Sequence, residues 1–306
     1  MSILSELQDI QGVRLKQEAP LADYTTLRIG GAAEILAEIT EQEALPQVYR
    51  VCRRNRIPVR FVAGGSNILI ADEGLEGVTI VNRINRISWS EEGGVLVSGG
   101  FWLDDLVVQS AERGWHGLEF AAGIPGSVGG GLAGGAGAFG HLLGDFLLSA
   151  EVLDMKGRLR EVAAEELGIS YRTSKARERG DIILTARFHR LRRGETQAIR
   201  SEIERIKHQR TAKHPGPDLP SAGSFFKNLP PEEPGGFRVP AGKYLDEAGV
   251  KGLRMGDAHV FEKHANIIVN RGHATAADVN RLADEMARRV KEMHGITLVR
   301  EVLFWK

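Results

Sequence analysis

One cysteine, Cys52, is all the chain carries in 306 residues, so no disulfide can close within it, and the lone thiol fits a reducing compartment. Cys52 follows Val48 and Val51 at helical spacing, the setting of a buried structural thiol rather than a reactive one. No run of about 18 uncharged apolar residues occurs, which excludes a transmembrane helix on length. The opening residues, MSILSELQDIQGVRLKQ, hold early acids and lack the long apolar core of a secretory leader. The expectation is a cytoplasmic protein with no membrane partner. Neither charge is in excess: 40 Lys and Arg face 40 Asp and Glu, which leaves no global pull toward nucleic acid. An internal repeat of roughly 20–50 residues is also missing.

Glycine is what the chain has in plenty. Of its 37 glycines, ten fall in the 24-residue stretch GLEFAAGIPGSVGGGLAGGAGAFG, residues 117–140. Glycine loses more backbone freedom on folding than any other residue, so an apolar segment this rich in it must gain from close approach to its main chain. A second such turn, AGGSN, occupies residues 63–67. Bare N–H groups in these turns can converge on an anion, and Ser66, Asn67 and Ser127 add side-chain donors. Neither turn is an ATP-binding loop, because G-x-x-x-x-G-K-[ST] is absent, and neither has G-x-G-x-x-G spacing between a strand and a helix. One turn alone reads equally well as close backbone packing; two together point to the diphosphate of a dinucleotide.

The length exceeds what a single hydrophobic core usually serves. Apolar residues at helical spacing mark residues 41–55 and 101–114, the latter ending on Gly114. IPVRFVAGGSNILIAD reads as strand, glycine turn and strand; GVTIVN, GGVLVSGG and DIILTARFHRL read as further strands; LLSAEVLDMKGRLREV reads as a hairpin turning at Lys156-Gly157. Near residue 194 the character changes to a charged amphipathic helix running into a proline-rich connection. Residues 187–214 hold nine Lys or Arg against three Glu, most of them spread around that helix as a solvated face. Beyond it lie a strand in HANIIVN, a helix opened by Thr275 and closed by Gly295, and a terminal strand in ITLVREVLFW. The fold class read from this is α+β, with a mixed unit over 1–193 and a smaller α+β unit over 194–306.

Strand alternation in the terminal segment puts Val299, Glu301, Leu303 and Trp305 on one face. A glutamate between valine and leucine must be paired, protonated or functional. Desolvation would raise its pKa and favour a carboxylic acid able to donate a hydrogen bond. His264, in EKHAN, lacks a second His, Cys or carboxylate at ligand spacing, so no metal site is expected.

YTTLRIGG (24–31), VAGGSNIL (62–69), GLEFAAGIPGSVGG (117–130), YRTS (171–174), AGSFFKN (222–228) and GITLVREV (295–302), in this order, resemble the UDP-N-acetylenolpyruvoylglucosamine reductase family. The resemblance implies a two-lobed FAD-binding domain of the vanillyl-alcohol-oxidase type, with a lobe boundary near 83, followed by a substrate-binding domain. It implies reduction of the enolpyruvyl ether of UDP-N-acetylglucosamine to UDP-N-acetylmuramate with NADPH through FAD, in peptidoglycan synthesis. FAD contacts are then expected from Ala63, Gly64, Gly65, Ser66 and Asn67, and from Ala122, Gly123, Ile124, Pro125, Ser127 and Gly129. Covalent attachment in this broader fold needs His or Cys near the first turn, and residues 57–70 contain neither, so dissociable FAD is expected.

By the same resemblance, hydride from flavin N5 reaches the substrate's methylene carbon. Arg172 and Glu301 then stabilise the enolate and Ser224 protonates it. Arg177 and Arg179 are nearby rivals of Arg172 in surroundings that read as a solvated loop. Lys213, Lys227, Asn228 and His264 are the expected contacts of the nucleotide sugar. Two departures stand out: Gly135 occupies a position where the family usually has asparagine, and no tyrosine lies between Tyr171 and Tyr244. The chain thereby resembles the subgroup without a tyrosine-bearing loop. An FAD oxidase on the same fold, and a nucleotide-sugar-binding protein with a degenerate flavin site, are the alternatives; a monomer or weak oligomer is expected.

Overall fold

The strand expected around Val59 and Phe61 forms over Val59–Val62 in the computed structural model, which describes residues 2–233 and 235–306. It pairs in parallel with Leu75–Asn82, Val59 opposite Val78. Val13–Pro20 and Ala32–Ile39 complete that four-stranded sheet. Helix Ala44–Arg54 buries Ala44, Leu45, Val48, Tyr49 and Cys52 in the core that covers it.

A second, five-stranded antiparallel sheet runs in the order Leu159–Ala163, Leu147–Leu153, Ile182–Phe188, Val95–Ser98, Ile87–Trp89. The hairpin between its first two strands turns at Gly157, with φ of +77°. Helix Leu103–Glu112 packs on this core through Leu103, Leu106, Val107, Ser110 and Ala111, a spacing that lays one face on the interior. Asp104 and Asp105 in its first turn complement the positive end of the helix dipole.

The expected division at 193/194 is corrected. Two units form, and they interleave along the chain: one takes residues up to Ala19, Glu34–Gly64 and Glu76–His208, the other Pro20–Ala33, Gly65–Leu75 and Gln209–Lys306. The composition change near 194 marks only the start of helix Thr196–Lys213, which continues past 208. Early segments join the second unit because Ile68–Ile70 pairs in parallel with Leu303–Trp305, a long-range pairing no local pattern announces.

Within the second unit, Ser221–Ser224, Ile267–Asn270, Ala258–Val260 and Arg254–Met255 form a four-stranded sheet. Helix Ala276–His294 buries Val279, Leu282, Ala283, Met286 and Val290 in the same core as Phe225 and Phe226. Its first turn is closed by a reciprocal box: Asp278 N donates to Thr275 Oγ1 at 3.0 Å, and Thr275 N donates to Asp278 Oδ2 at 3.1 Å. Gly295, at φ +72°, ends it.

The expected strand over 296–305 is also corrected: only Leu303–Trp305 is strand. Val299, placed by alternation beside Glu301, is 60% exposed, whereas the adjacent Glu301 and Val302 are both buried. The segment changes partners as it runs. Lys227 N donates to Val299 O at 2.8 Å and Glu301 N to Phe225 O at 2.8 Å, after which Leu303 N donates to Asn67 O at 3.1 Å.

Candidate active site

The second glycine turn is fixed by main-chain bonds to residues 99–103. Gly129 N donates to Gly99 O at 2.9 Å, Val128 N to Phe101 O at 2.9 Å, and Leu103 N to Gly126 O at 3.0 Å. Ser127 caps helix Val128–Ala133, its Oγ accepting from Gly130 N at 3.3 Å. Asp104 ties down the preceding residues, accepting from Gly123 N at 2.8 Å while its other oxygen takes Lys207 Nζ at 2.6 Å. Ala122 is fully buried, Ile124 packs against the core, and Gly123 and Pro125 are exposed.

Gly64 lies directly on this turn. A Cβ there would stand 2.4 Å from Gly126 Cα and 2.9 Å from Ser127 N, both main chain. Gly64 is bare because the main chain of this turn lies against it, so close packing accounts for part of what looked like pure ligand clearance. Beside that contact lies a cavity of about 180 Å³ lined by Ala63, Gly64, Asn82, Arg83, Asn85, Gly100, Trp102 and Ser127. Sequence reasoning missed Asn82, Arg83, Asn85, Gly100 and Trp102. The signal available was the run NRIN at a strand end, a guanidinium flanked by amides. Gly100 has no room for a side chain, since a Cβ would meet Asn82 Oδ1 at 2.7 Å.

Arg172 sits at the tip of a two-residue turn. Ser170 N donates to Thr173 O at 3.0 Å, and Thr173 N to Ser170 O at 3.2 Å. Its φ is +57°, a left-handed conformation that costs a residue with a side chain about 1–2 kcal/mol. Such strain is retained where the surroundings impose it, commonly at functional sites. The guanidinium lies 5.4 Å from the centre of the Tyr171 ring. Its rival Arg179 is engaged by Asp181, Nε to Oδ2 at 2.9 Å.

In the second unit, Ser224, Glu301 and Asn67 are brought together. Ser224 ends a strand whose register against Ile267–Asn270 shifts after Ser221, and Gly223 at φ +72° takes up the irregularity. Such bulges redirect the side chain that follows. Its neighbour Phe225 accepts from Glu301 N, and Asn67 Nδ2 donates to Glu301 O at 3.2 Å. The turn at residues 63–67 is itself seated by Thr26 N, which donates to Gly65 O at 3.0 Å, with Gly65 buried and Ser66 half-buried. Glu301 is 7% exposed. Arg300 turns to helix Ala276–His294, donating to Asn280 Oδ1 at 2.6 Å and Asp284 Oδ1 at 2.7 Å.

Asn228 supports the chain locally: its Oδ1 accepts from Ala241 N at 3.2 Å and its carbonyl from Arg238 Nη2 at 2.9 Å. Lys227 is half-buried beside it. Lys213 is exposed and adjoins His214, whose ring lies 5.6 Å from that of His264. Burial holds both imidazoles below the ordinary histidine pKa; the charge of Arg210 adds to this at His214, and that of His214 at His264. Sequence reasoning missed His214, although it adjoins Lys213 in TAKHPGP. Among the described residues, no group of three His, Cys, Asp or Glu is placed to hold a metal.

A cavity that combines bare main chain at Gly64 and Gly100, the Ser127 hydroxyl, two amides, a guanidinium and the half-exposed Trp102 offers polar donors and one positive charge suited to an anionic group. Residues 33–163 also match the FAD binding domain family, and together these define a flavin-dependent oxidoreductase. Residues 214–305 match the C-terminal domain of UDP-N-acetylenolpyruvoylglucosamine reductase. The reductase of that name from Moorella thermoacetica is 37% identical over 304 residues, covering 99% of this chain and 97% of its own. That from Gloeobacter violaceus is 40% identical over 298 residues, covering 95% and 96%. A solved structure of UDP-N-acetylenolpyruvylglucosamine reductase from Thermus caldophilus is similar at a TM-score of 0.78 with 34% identity, over 96% of this chain and 99% of that one. The chain belongs to the UDP-N-acetylenolpyruvoylglucosamine reductase family.

Proposed function

We propose that this reductase converts the enolpyruvyl ether of UDP-N-acetylglucosamine to UDP-N-acetylmuramate with NADPH as electron donor, with Arg172, Ser224 and Glu301 as its catalytic residues. The chemistry FAD supplies when bound is hydride transfer from the nicotinamide to the alkene. Ala63, Gly64, Asn82, Arg83, Gly100 and Ser127 are suited to hold the dinucleotide, through main-chain donors and one positive charge. NADPH and a nucleotide sugar as co-substrates place the reaction in the cytoplasm.

Hydride arriving at the methylene carbon leaves negative charge on the neighbouring carbon and its carboxylate. Arg172 receives that carboxylate: its planar fork stays charged at any working pH and matches two oxygens at once. Glu301, buried beside the Ser224 loop, donates its proton's hydrogen bond to the developing enolate. Ser224 delivers the proton to the carbon. A serine hydroxyl is a poor acid in water, so this step requires that the loop exclude solvent, and the fully packed Phe225 and Phe226 beside it support that requirement. Lys213 attracts the diphosphate by its charge and the neutral His264 ring donates a hydrogen bond to it, with Lys227 and Asn228 lining the sugar.

The observation that carries this reading is the pair of bonds holding Glu301, to Phe225 beside Ser224 and to Asn67 of the first glycine turn. Three sequence-distant motifs thereby meet at the main chain of the residue that carries this carboxyl. The test is anaerobic: NADPH reduces the holoprotein, NADP is removed, and the enolpyruvyl nucleotide is added. The expected result is stoichiometric reoxidation of the flavin by the nucleotide. Rapid reoxidation by air with no response to the nucleotide would instead establish an oxidase.

A further inference from the structure

Gly135 lies against the turn that presents Arg172, with main chain meeting main chain. A Cβ built on Gly135 would stand 2.0 Å from Ser170 O, 2.9 Å from Thr173 O and 3.0 Å from Arg172 N. All three are backbone atoms, so no side-chain rotation relieves the overlap. Ser170 and Thr173 are the residues whose reciprocal bonds close the turn, so any added atom pushes on its frame. Gly135 is itself buried and held at φ +59°, a conformation that favours glycine.

The same turn is gripped from its other end. Ser174 is fully buried, its Oγ donating to Ala133 O at 2.9 Å while accepting from Arg177 N at 3.1 Å. Ala133 ends the helix that Ser127 caps, and Gly135 N continues the winding by donating to Leu132 O at 3.2 Å. One short run, 127–135, thus extends from the second glycine turn to the turn that carries Arg172.

We propose that Gly135 is a positioning residue for Arg172, setting how far its guanidinium reaches by letting the turn dock with no intervening atom. In this chain any residue with a side chain at 135 is not an equivalent choice, because its Cβ would displace the turn. The inference rests on the proposed role of Arg172 and deepens it. A shift near 1 Å in a group that must meet charge in the transition state costs up to roughly a hundredfold in rate.

The test uses FAD-loaded full-length protein and separates the two half-reactions. In Gly135→Ala, NADPH should reduce the flavin at the wild-type rate, while reoxidation by the enolpyruvyl nucleotide slows by roughly tenfold or more. Arg172→Lys alone should slow the same half-reaction. In the double variant the losses should not multiply in full, because the planar fork that Gly135 positions is no longer there. Losses that multiply in full, or wild-type reoxidation in Gly135→Ala, would overturn the inference. If Gly135→Ala does not retain FAD, Ser174→Ala takes its place: a slower reoxidation that disappears in the Arg172→Lys background supports the inference, and an unchanged or fully multiplicative effect overturns it. If Arg172→Lys by itself leaves reoxidation untouched, the role of Arg172 is wrong and fails separately.

Discussion

Asn67 and Glu301 hold each other from opposite ends of the sequence: Asn67 Nδ2 donates to Glu301 O at 3.2 Å, and Asn67 O accepts from Leu303 N at 3.1 Å. A residue of the first glycine turn therefore fixes the main chain on both sides of Val302, and with it the position of the Glu301 carboxyl. Replacing Asn67 by alanine removes one of these two bonds. The expected loss is about 1 kcal/mol of unfolding free energy, read from urea melts. Reoxidation of reduced flavin by the nucleotide should slow more than its reduction by NADPH. Equal effects on both half-reactions would detach this bond from the placement of Glu301.

Contact between Gly64 and Gly126 gives a second prediction. Gly64→Ala drives a Cβ into main chain 2.4 Å away, and overpacking of this kind typically costs about 1–3 kcal/mol. FAD should bind at least roughly tenfold more weakly, because the displaced atoms border the cavity. Gly216→Ala, where a Cβ meets nothing within 4 Å, is the matched control and should retain the cofactor. FAD content after gel filtration and flavin fluorescence titration report both.

Cys52 should be silent toward thiol reagents in the native protein. It is fully buried, and burial pushes its pKa up to about 11. An aromatic disulfide reagent at about pH 8 should label no thiol until denaturant is added, and then one per chain. Labelling at the rate of a free thiol would contradict its placement in the core of the first sheet.

The His214–His264 pair gives the stability a pH dependence of defined sign. Both rings titrate lower in the folded protein than the ordinary histidine value, so below about pH 6.5 the unfolded chain binds more protons than the native one. Their contribution to stability is complete above that value and is lost as pH falls through it toward the folded pKa. Urea melts at about pH 7.5 and about pH 5.5 should show the decline, and His264→Gln should flatten it. An equal decline in that variant would assign the effect to other groups.

Local patterns gave up the elements whose signals are local. Thr275 and Gly295 bracketed helix Ala276–His294, and Lys156-Gly157 marked the hairpin, because caps and tight turns are written in adjacent residues. The expectation that Glu301 is buried also holds, though for a different reason: not a regular alternating strand, since Val299 is exposed, but a partner change from the Phe225 loop to Asn67. Long-range pairings such as Leu303 with Ile68 leave no local trace, which is why the interleaving of the two units was illegible. Arg83 and Trp102 escaped notice because single residues without periodicity acquire meaning only once the fold places them at one cavity.

The most direct test of the central claim is the Ser224→Ala variant, loaded with FAD and followed through each half-reaction without oxygen. NADPH should reduce its flavin at the wild-type rate, and the enolpyruvyl nucleotide should bind. Turnover to UDP-N-acetylmuramate should fall by roughly a hundredfold or more, the scale lost when a positioned acid is removed. Product formation at the wild-type rate would show that the proton comes from elsewhere and that the loop carrying Ser224 serves only to shape the site.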